Sequence, residues 1–281
     1  MTEHSWTRRE LLSRSALMTL AVASAPVLAA CGGDDDGAST SASGDLLTKL
    51  KQQGYVRVGF ANEAPYGYAD PSGKLTGEAP EVARVIFKKM GIGELQGVLT
   101  EFGSLIPGLQ ARRFDVIAAG MFINPERCAQ ILFSEPDYQA KTAFLVKKGN
   151  PKGILKFEDV TSTGAKLGVL AGAVEGGYAE QLGVPKNQIV TFNDPPSSFE
   201  GLQAGRVDAV SLTSISLRNL LNTHKGAPFE VTEPFVPVID GKEQTGAGGY
   251  GFHKMWKNIK KYVSSVDPVK LRAAIDSATD S

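Results

Sequence analysis

Two nine-residue stretches of this chain repeat each other without a gap. Gly108-Leu109-Gln110-Ala111-Arg112-Arg113-Phe114-Asp115-Val116 returns as Gly201-Leu202-Gln203-Ala204-Gly205-Arg206-Val207-Asp208-Ala209. In each copy an amphipathic helix end runs into a strand of β-branched and small residues: Val116-Ile117-Ala118-Ala119-Gly120, then Ala209-Val210-Ser211-Leu212-Thr213. A helix feeding a buried strand, once in each half, constrains the chain to two similar α/β lobes. Two lobes make a cleft, and clefts between lobes take small molecules.

The 281 residues suffice for two modest domains, and a hydrophobic content of 42% supplies a core. Formal net charge is zero and no basic run is present, so no nucleic-acid partner is expected. The two cysteines, Cys31 and Cys128, sit in unrelated contexts and make no disulfide scaffold.

Residues 1–31 read as an export signal. Arg8-Arg9 precedes the apolar stretch Ala16 to Ala30, which ends in Leu28-Ala29-Ala30-Cys31. That ending resembles a lipobox, whose cysteine is acylated, and implies a lipid anchor on Cys31. Thr7-Arg8-Arg9-Glu10-Leu11-Leu12 resembles a twin-arginine export motif. Residues 32–45, with three successive aspartates and then Ser, Thr, Ala and Gly, read as a flexible polar tether. Cys128 is then a lone thiol, expected as a small buried hydrophobe on a helix.

From Leu46 onward strands and helices alternate, the mark of parallel sheets covered on both faces. A short helix is expected at 47–51, strands at 56–60, 98–100, 166–170 and 189–192, a helix opened by Pro80 and closed by Gly91, and another capped by Ser104. Phe144-Leu145-Val146 and Gly248-Gly249-Tyr250-Gly251-Phe252 are the expected crossings between lobes, the glycines absorbing hinge rotation. Ligands gather beyond the carboxyl ends of strands in open α/β sheets. That rule selects residues 61–67, 101–104, 120–127, 171–175 and 211–215. Superposing the repeats sets Gly120-Met121-Phe122 against Thr213-Ser214-Ile215. The tail from Lys254 to Ser281 has no clear placement.

Gly120-Met121-Phe122-Ile123-Asn124-Pro125-Glu126-Arg127, followed by Phe133-Ser134-Glu135-Pro136-Asp137-Tyr138, resembles the motif pair of the substrate-binding proteins of polar amino acid ABC importers. The resemblance runs from about Leu46 to Phe252. It implies an α/β, two-lobed periplasmic-binding-protein-like fold (type II), with mostly parallel sheets flanked by helices and hinge-linked lobes. Lobe 1 is then 46–146 with 247–281, and lobe 2 is 147–246. Asn62-Glu63-Ala64-Pro65-Tyr66-Gly67 and Gly77-Glu78-Ala79-Pro80-Glu81 look closest to the ectoine/hydroxyectoine-binding branch. The implied protein is a lipid-anchored, extracytoplasmic monomer that hands ectoine or hydroxyectoine to a membrane permease, with no cofactor and no metal.

The residue types suit such a solute, a carboxylate beside a delocalised cationic ring. Arg127 offers a planar fork for the carboxylate. Tyr66, Phe102 and Phe122 offer π-faces for the ring, and Glu63 accepts from its N–H groups. The backbone amides of Ala173 and Val174 precede a helix and can meet the carboxylate; the threonines that family members carry there are missing. Thr213 stands where amino acid binders typically have an aspartate for the α-ammonium, so an α-amino acid would leave its charge unpaired. Two alternatives stay open: a betaine or polar amino acid binder, and a dehydratase-like enzyme on the same fold with Glu63 as base. The histidines of the mature chain, His224 and His253, fall outside the five selected loops.

Overall fold

The apolar runs become the interior strands of two separate sheets in the computed structural model, which describes residues 41–256. The export signal with Cys31, the first part of the tether and the tail from residue 257 lie outside the described residues. In chain order, α1 (Ser41–Gln53) leads into β1 (Tyr55–Phe60), the hairpin of β2 (Tyr68–Ala69) and β3 (Leu75–Thr76), α2 (Glu78–Lys89), β4 (Glu94–Leu99), α3 (Leu105–Gln110), β5 (Val116–Phe122), α4 (Pro125–Cys128), β6 (Leu132–Phe133) and β7 (Tyr138–Ala140). The chain then changes sheet: β8 (Thr142–Lys147), α5 (Phe157–Thr163), β9 (Leu167–Leu170), α6 (Val174–Gln181), β10 (Ile189–Phe192), α7 (Pro195–Gln203), β11 (Ala209–Thr213), α8 (Ser214–Thr223) and β12 (Phe229–Val231). The hairpin of β13 (Val238–Ile239) and β14 (Lys242–Glu243) precedes β15 (Gly246–Phe252).

The first sheet is ordered β4-β1-β5-β15-β6, with β7 also on β15; the second is ordered β10-β9-β11-β8-β12. Three strands of each, β4-β1-β5 and β10-β9-β11, run parallel. The strands that change sheet, β8 and β15, run antiparallel to their neighbours. Each sheet is therefore mixed, where mostly parallel pairing was expected. Both faces are covered. Val116 and Ala118 of β5 enter one apolar layer, and Ile117, Ala119 and Met121 the opposite one, the period of two of a strand buried on both sides. In β8, Ala143 and Leu145 face one layer and Phe144 and Val146 the other.

The repeat is structural down to its hydrogen bonds. Asp115 Oδ2 accepts from the Arg57 amide at 3.0 Å, and the Asp115 amide donates back to the Arg57 carbonyl. Asp208 Oδ2 accepts from the Lys166 amide at 2.8 Å, and its own amide donates back to Lys166. Each copy has a left-handed residue at the same place, Arg112 (φ 56) and Gly205 (φ 71). Each half also clamps a ring between two glycines. A Cβ on Gly59 or Gly108 would strike Phe114, and one on Gly168 or Gly201 would meet Phe192.

Five expectations need correction. The helix expected at 47–51 begins at Ser41, inside the stretch read as tether. Phe144-Leu145-Val146 are interior residues of β8, so the chain changes sheet at Lys141, between β7 and β8. Gly248 to Phe252 likewise lie within β15, hydrogen-bonded in the first sheet, and the second crossing precedes Gly246. Cys128 is exposed, since α4 is only one turn long and Arg127 takes its inward side. Ser104 stands at the start of α3, as expected, but its hydroxyl makes no cap bond. Among the described residues no helix is long and apolar enough to cross a membrane.

Candidate functional site

A small cavity opens where the carboxyl ends of the two sets of parallel strands meet. Glu63, Phe102, Gly120, Phe122 and Arg127 wall it from the first lobe; Ala173, Val174, Glu175, Leu212 and Thr213 wall it from the second. Every one of these residues falls in the five loops selected by strand polarity. The cavity holds about 20 Å³, the room of roughly one water. Sharing its Phe102, Arg127, Ala173 and Val174 is an outer hollow of about 300 Å³. Another of about 360 Å³ lies at the far end of β11, beside the Lys152–Asp208 ion pair and away from the cleft loops.

Arg127 is placed by its own short helix. The Asn124 side chain accepts from the Arg127 amide at 2.8 Å and caps α4. Arg127 is 7% exposed. Its Nη1 donates to the Phe122 carbonyl at 2.7 Å, and its Nη2 crosses the cleft to the Gly172 carbonyl at 2.9 Å. The guanidinium lies 5.5 Å from the centre of the Phe102 ring. Burial pulls its pKa below the ordinary value, and Glu175 opposes that.

Glu63 sits in a tight loop after β1, closed by exchange of hydrogen bonds with Gly67. Its Oε1 accepts from the Ser216 hydroxyl of α8 at 2.5 Å, a second bond across the cleft. Burial raises its pKa to about 7, and the Ser216 bond restrains the rise. The Tyr66 hydroxyl makes a third, donating to Thr213 Oγ1 at 3.2 Å. Thr213 Oγ1 also accepts from the Ser216 amide as the cap of α8. With two acceptances made, the Thr213 hydroxyl has its proton left to offer.

Tyr66, Tyr138 and Phe122 form one aromatic cluster, of which Phe122 reaches the cavity. Tyr66 and Tyr138 have ring centres 5.0 Å apart, and Phe122 and Tyr138 6.1 Å. Glycines allow these rings to lie flat on backbone. A Cβ on Gly120 would stand 2.5 Å from Tyr66, one on Gly246 2.2 Å from Phe122, and one on Gly248 2.0 Å from Tyr138. The glycines of β15 thus serve ring packing, where the sequence suggested a hinge.

Tyr66 backs the cavity through its hydroxyl and is absent from its lining, while the other seven expected ligand-binding residues line it. Two details differ from expectation. The Ala173 amide is already committed to the Leu170 carbonyl at 3.2 Å, because residues 170–173 form a turn. Gly120 and Phe122 do face Thr213, but Ser214 and Ile215 turn away into α8, and Ile215 is exposed.

Three participants were missed. Tyr138 lies in the motif used for recognition but beyond the selected loops. Ser216 had one faint signal, its place three residues after a capping threonine. Glu175 falls inside a selected loop, yet nothing in the sequence marked it. It is 2% exposed. Burial, with Glu63 adding to it, lifts its pKa to about 7 against its own amide and Arg127. The second lobe therefore does present a carboxyl, and the inference from Thr213 alone was incomplete.

A model of the bacterial extracellular solute-binding proteins, family 3, matches residues 56–167. The "Probable amino-acid ABC transporter periplasmic-binding protein y4tE" of Sinorhizobium fredii is 41% identical over 211 residues, 74% of this chain and 69% of the relative. The chain belongs to family 3 of the bacterial extracellular solute-binding proteins. This family 3 protein is also 30% identical to the L-cystine-binding protein TcyJ of Escherichia coli, over 70% of this chain and 76% of TcyJ. A crystal structure of EhuB in complex with hydroxyectoine superposes with a TM-score of 0.73 at 35% identity, covering 83% of this chain and 88% of that one. The type II periplasmic-binding-protein fold and the transport role follow: a solute-binding component, outside the cytoplasm, of an ABC importer for amino acids or related solutes.

Proposed function

We propose that this family 3 protein captures ectoine or hydroxyectoine between its lobes and delivers it to a membrane permease, while a lipid on Cys31 tethers it outside the cell. One observation carries the reading. Glu63, Phe102, Phe122, Arg127 and Thr213 wall a single cavity, with Tyr138 tilted against Phe122 and Tyr66 against Tyr138. A flat cationic ring gains about 0.5–2 kcal/mol from each π-face it meets. Glu63 accepts from the ring N–H groups. Arg127 has five N–H donors, of which backbone carbonyls take two. The rest serve the solute's carboxylate, joined by the Val174 amide. The likeness to the hydroxyectoine complex of EhuB supports the same choice.

A ring-sized solute exceeds the present cavity, so entry parts the lobes and closure follows. The loaded form is selected by the solute's own contacts with both lobes. Ser216–Glu63, Tyr66–Thr213 and Arg127–Gly172 join the lobes without solute, and each involves a wall residue. Nothing in this cycle requires chemistry on the solute.

Glu175 favours a second reading, a polar amino acid whose α-ammonium pairs with that carboxylate. Calorimetric titration with ectoine, hydroxyectoine, glycine betaine, glutamine and cystine separates the readings. Ectoine or hydroxyectoine should bind tightest; tight binding of glutamine or cystine with none of ectoine overturns the assignment.

A further inference from the structure

Glu175 lies in the first turn of α6 and lines the cavity beside Arg127, Ala173 and Val174. The reading above gives it no task. The charged and titratable groups that act on it or feel it are Glu63 from the loop after β1, Arg127 from α4, and the phenols of Tyr66 and Tyr178. Arg127 is the sole cation in the cavity lining, against the two carboxyls of Glu63 and Glu175.

A zwitterionic solute adds no net charge, so two ionised carboxylates would leave the closed cavity one negative charge in excess. Burying such a charge is costly, and one proton shared by the pair removes it. Glu63 is the better anion. The Ser216 hydroxyl donates to it, and the solute's ring brings further donors. Glu175 instead borders the slot beside Arg127 and the Val174 amide, where the solute's acid end belongs. Ionised, it would repel that end; protonated, it donates to it. The neighbouring side chains of Ala173 and Val174 have no donor of their own.

Building on the ectoine assignment, we propose that Glu175 binds the solute as a neutral acid, giving its O–H to the solute's carboxylate, so that capture above neutral pH takes up one proton from solvent. Burial already holds both cleft glutamates near 7, which puts the change within the working range.

Calorimetric titration of the intact protein with ectoine, between about pH 7 and about pH 9 and in buffers of different ionisation heat, counts the protons directly. Close to one proton should enter per ectoine at the alkaline end, with Kd weakening towards roughly tenfold per pH unit. In Glu175→Gln the amide still donates but does not titrate, so both the uptake and the alkaline slope should vanish. A wild-type Kd that stays flat across this range with no uptake overturns the role of Glu175 and leaves the ectoine assignment standing. So does an uptake that persists in Glu175→Gln. Absence of ectoine binding at every pH overturns the assignment itself. The wild-type measurement decides even if the variant does not fold.

Discussion

Gly172 of the second lobe rests on Gly103 of the first, backbone against backbone: a Cβ on Gly172 would stand 2.5 Å from the Gly103 Cα. Gly172 also has φ +74, where a side chain adds strain of about 1 kcal/mol or more. Gly172→Ala should therefore hold the lobes apart. With ectoine present, small-angle scattering should give a larger radius of gyration than for wild type, and calorimetry a Kd weakened at least about tenfold, the equivalent of roughly 1.4 kcal/mol. Gly103→Ala should be milder, since its Cβ would lie 3.3 Å from the Ala171 carbonyl. Unchanged scattering and affinity in Gly172→Ala would show that closure does not use this contact.

Arg127→Ala removes the cavity's cation and its bond to Gly172 together. Truncating one partner of a buried charge pair costs about 2–5 kcal/mol, so ectoine affinity should fall by roughly a hundredfold or more. Phe122→Ala should weaken binding by about tenfold and leave a cooperative melt. Retained affinity in either variant, read by titration calorimetry, would remove that side chain from the solute's contacts.

The Glu63 carboxyl is held near 7 against an ordinary 4.5. Between those values the folded protein keeps a proton that the unfolded chain has lost. Stability is thus fullest below the unfolded value and declines as pH rises through the folded one, by on the order of 3 kcal/mol for a shift of this size. Glu175 pulls in the same direction. Without solute, Tm should fall between about pH 5 and about pH 8. Glu63→Gln should shrink that fall by several degrees, as differential scanning calorimetry would detect. An equal fall in the variant would mean that ionising Glu63 carries no penalty.

Cys31→Ser should move the protein from the membrane fraction to the soluble one, as blotting of fractionated cells would reveal. Replacing Arg8-Arg9 by lysines should leave unprocessed precursor inside the cell if the twin-arginine route is used. Normal processing there would assign export to the general secretory route.

The reach of the sequence is clearest at Asp115 and Asp208. Their shared position in the repeat forecast shared structure: Asp115 accepts from Arg57 in β1, and Asp208 from Lys166 at the entrance to β9. Strand polarity likewise named the five cleft loops, because it follows from local apolar runs. What stayed hidden depends on distant neighbours. The glycines of β15 looked like a hinge because a sequence does not display Phe122 and Tyr138 lying over them. Glu175 looked like any first-turn acid until the opposite lobe enclosed it. Cys128 looked like core because a one-turn helix has a single inward position, and composition does not tell who takes it.

The order of the first sheet has a consequence for synthesis. Its interior strand β15 pairs with β5, β6 and β7, all of which leave the ribosome long before it. A nascent N-terminal portion therefore exposes an open seam along β5 until Gly246 to Phe252 emerge. Native assembly of the first lobe is deferred until almost the whole chain has been translated, and a product truncated before residue 246 has no means of closing that seam.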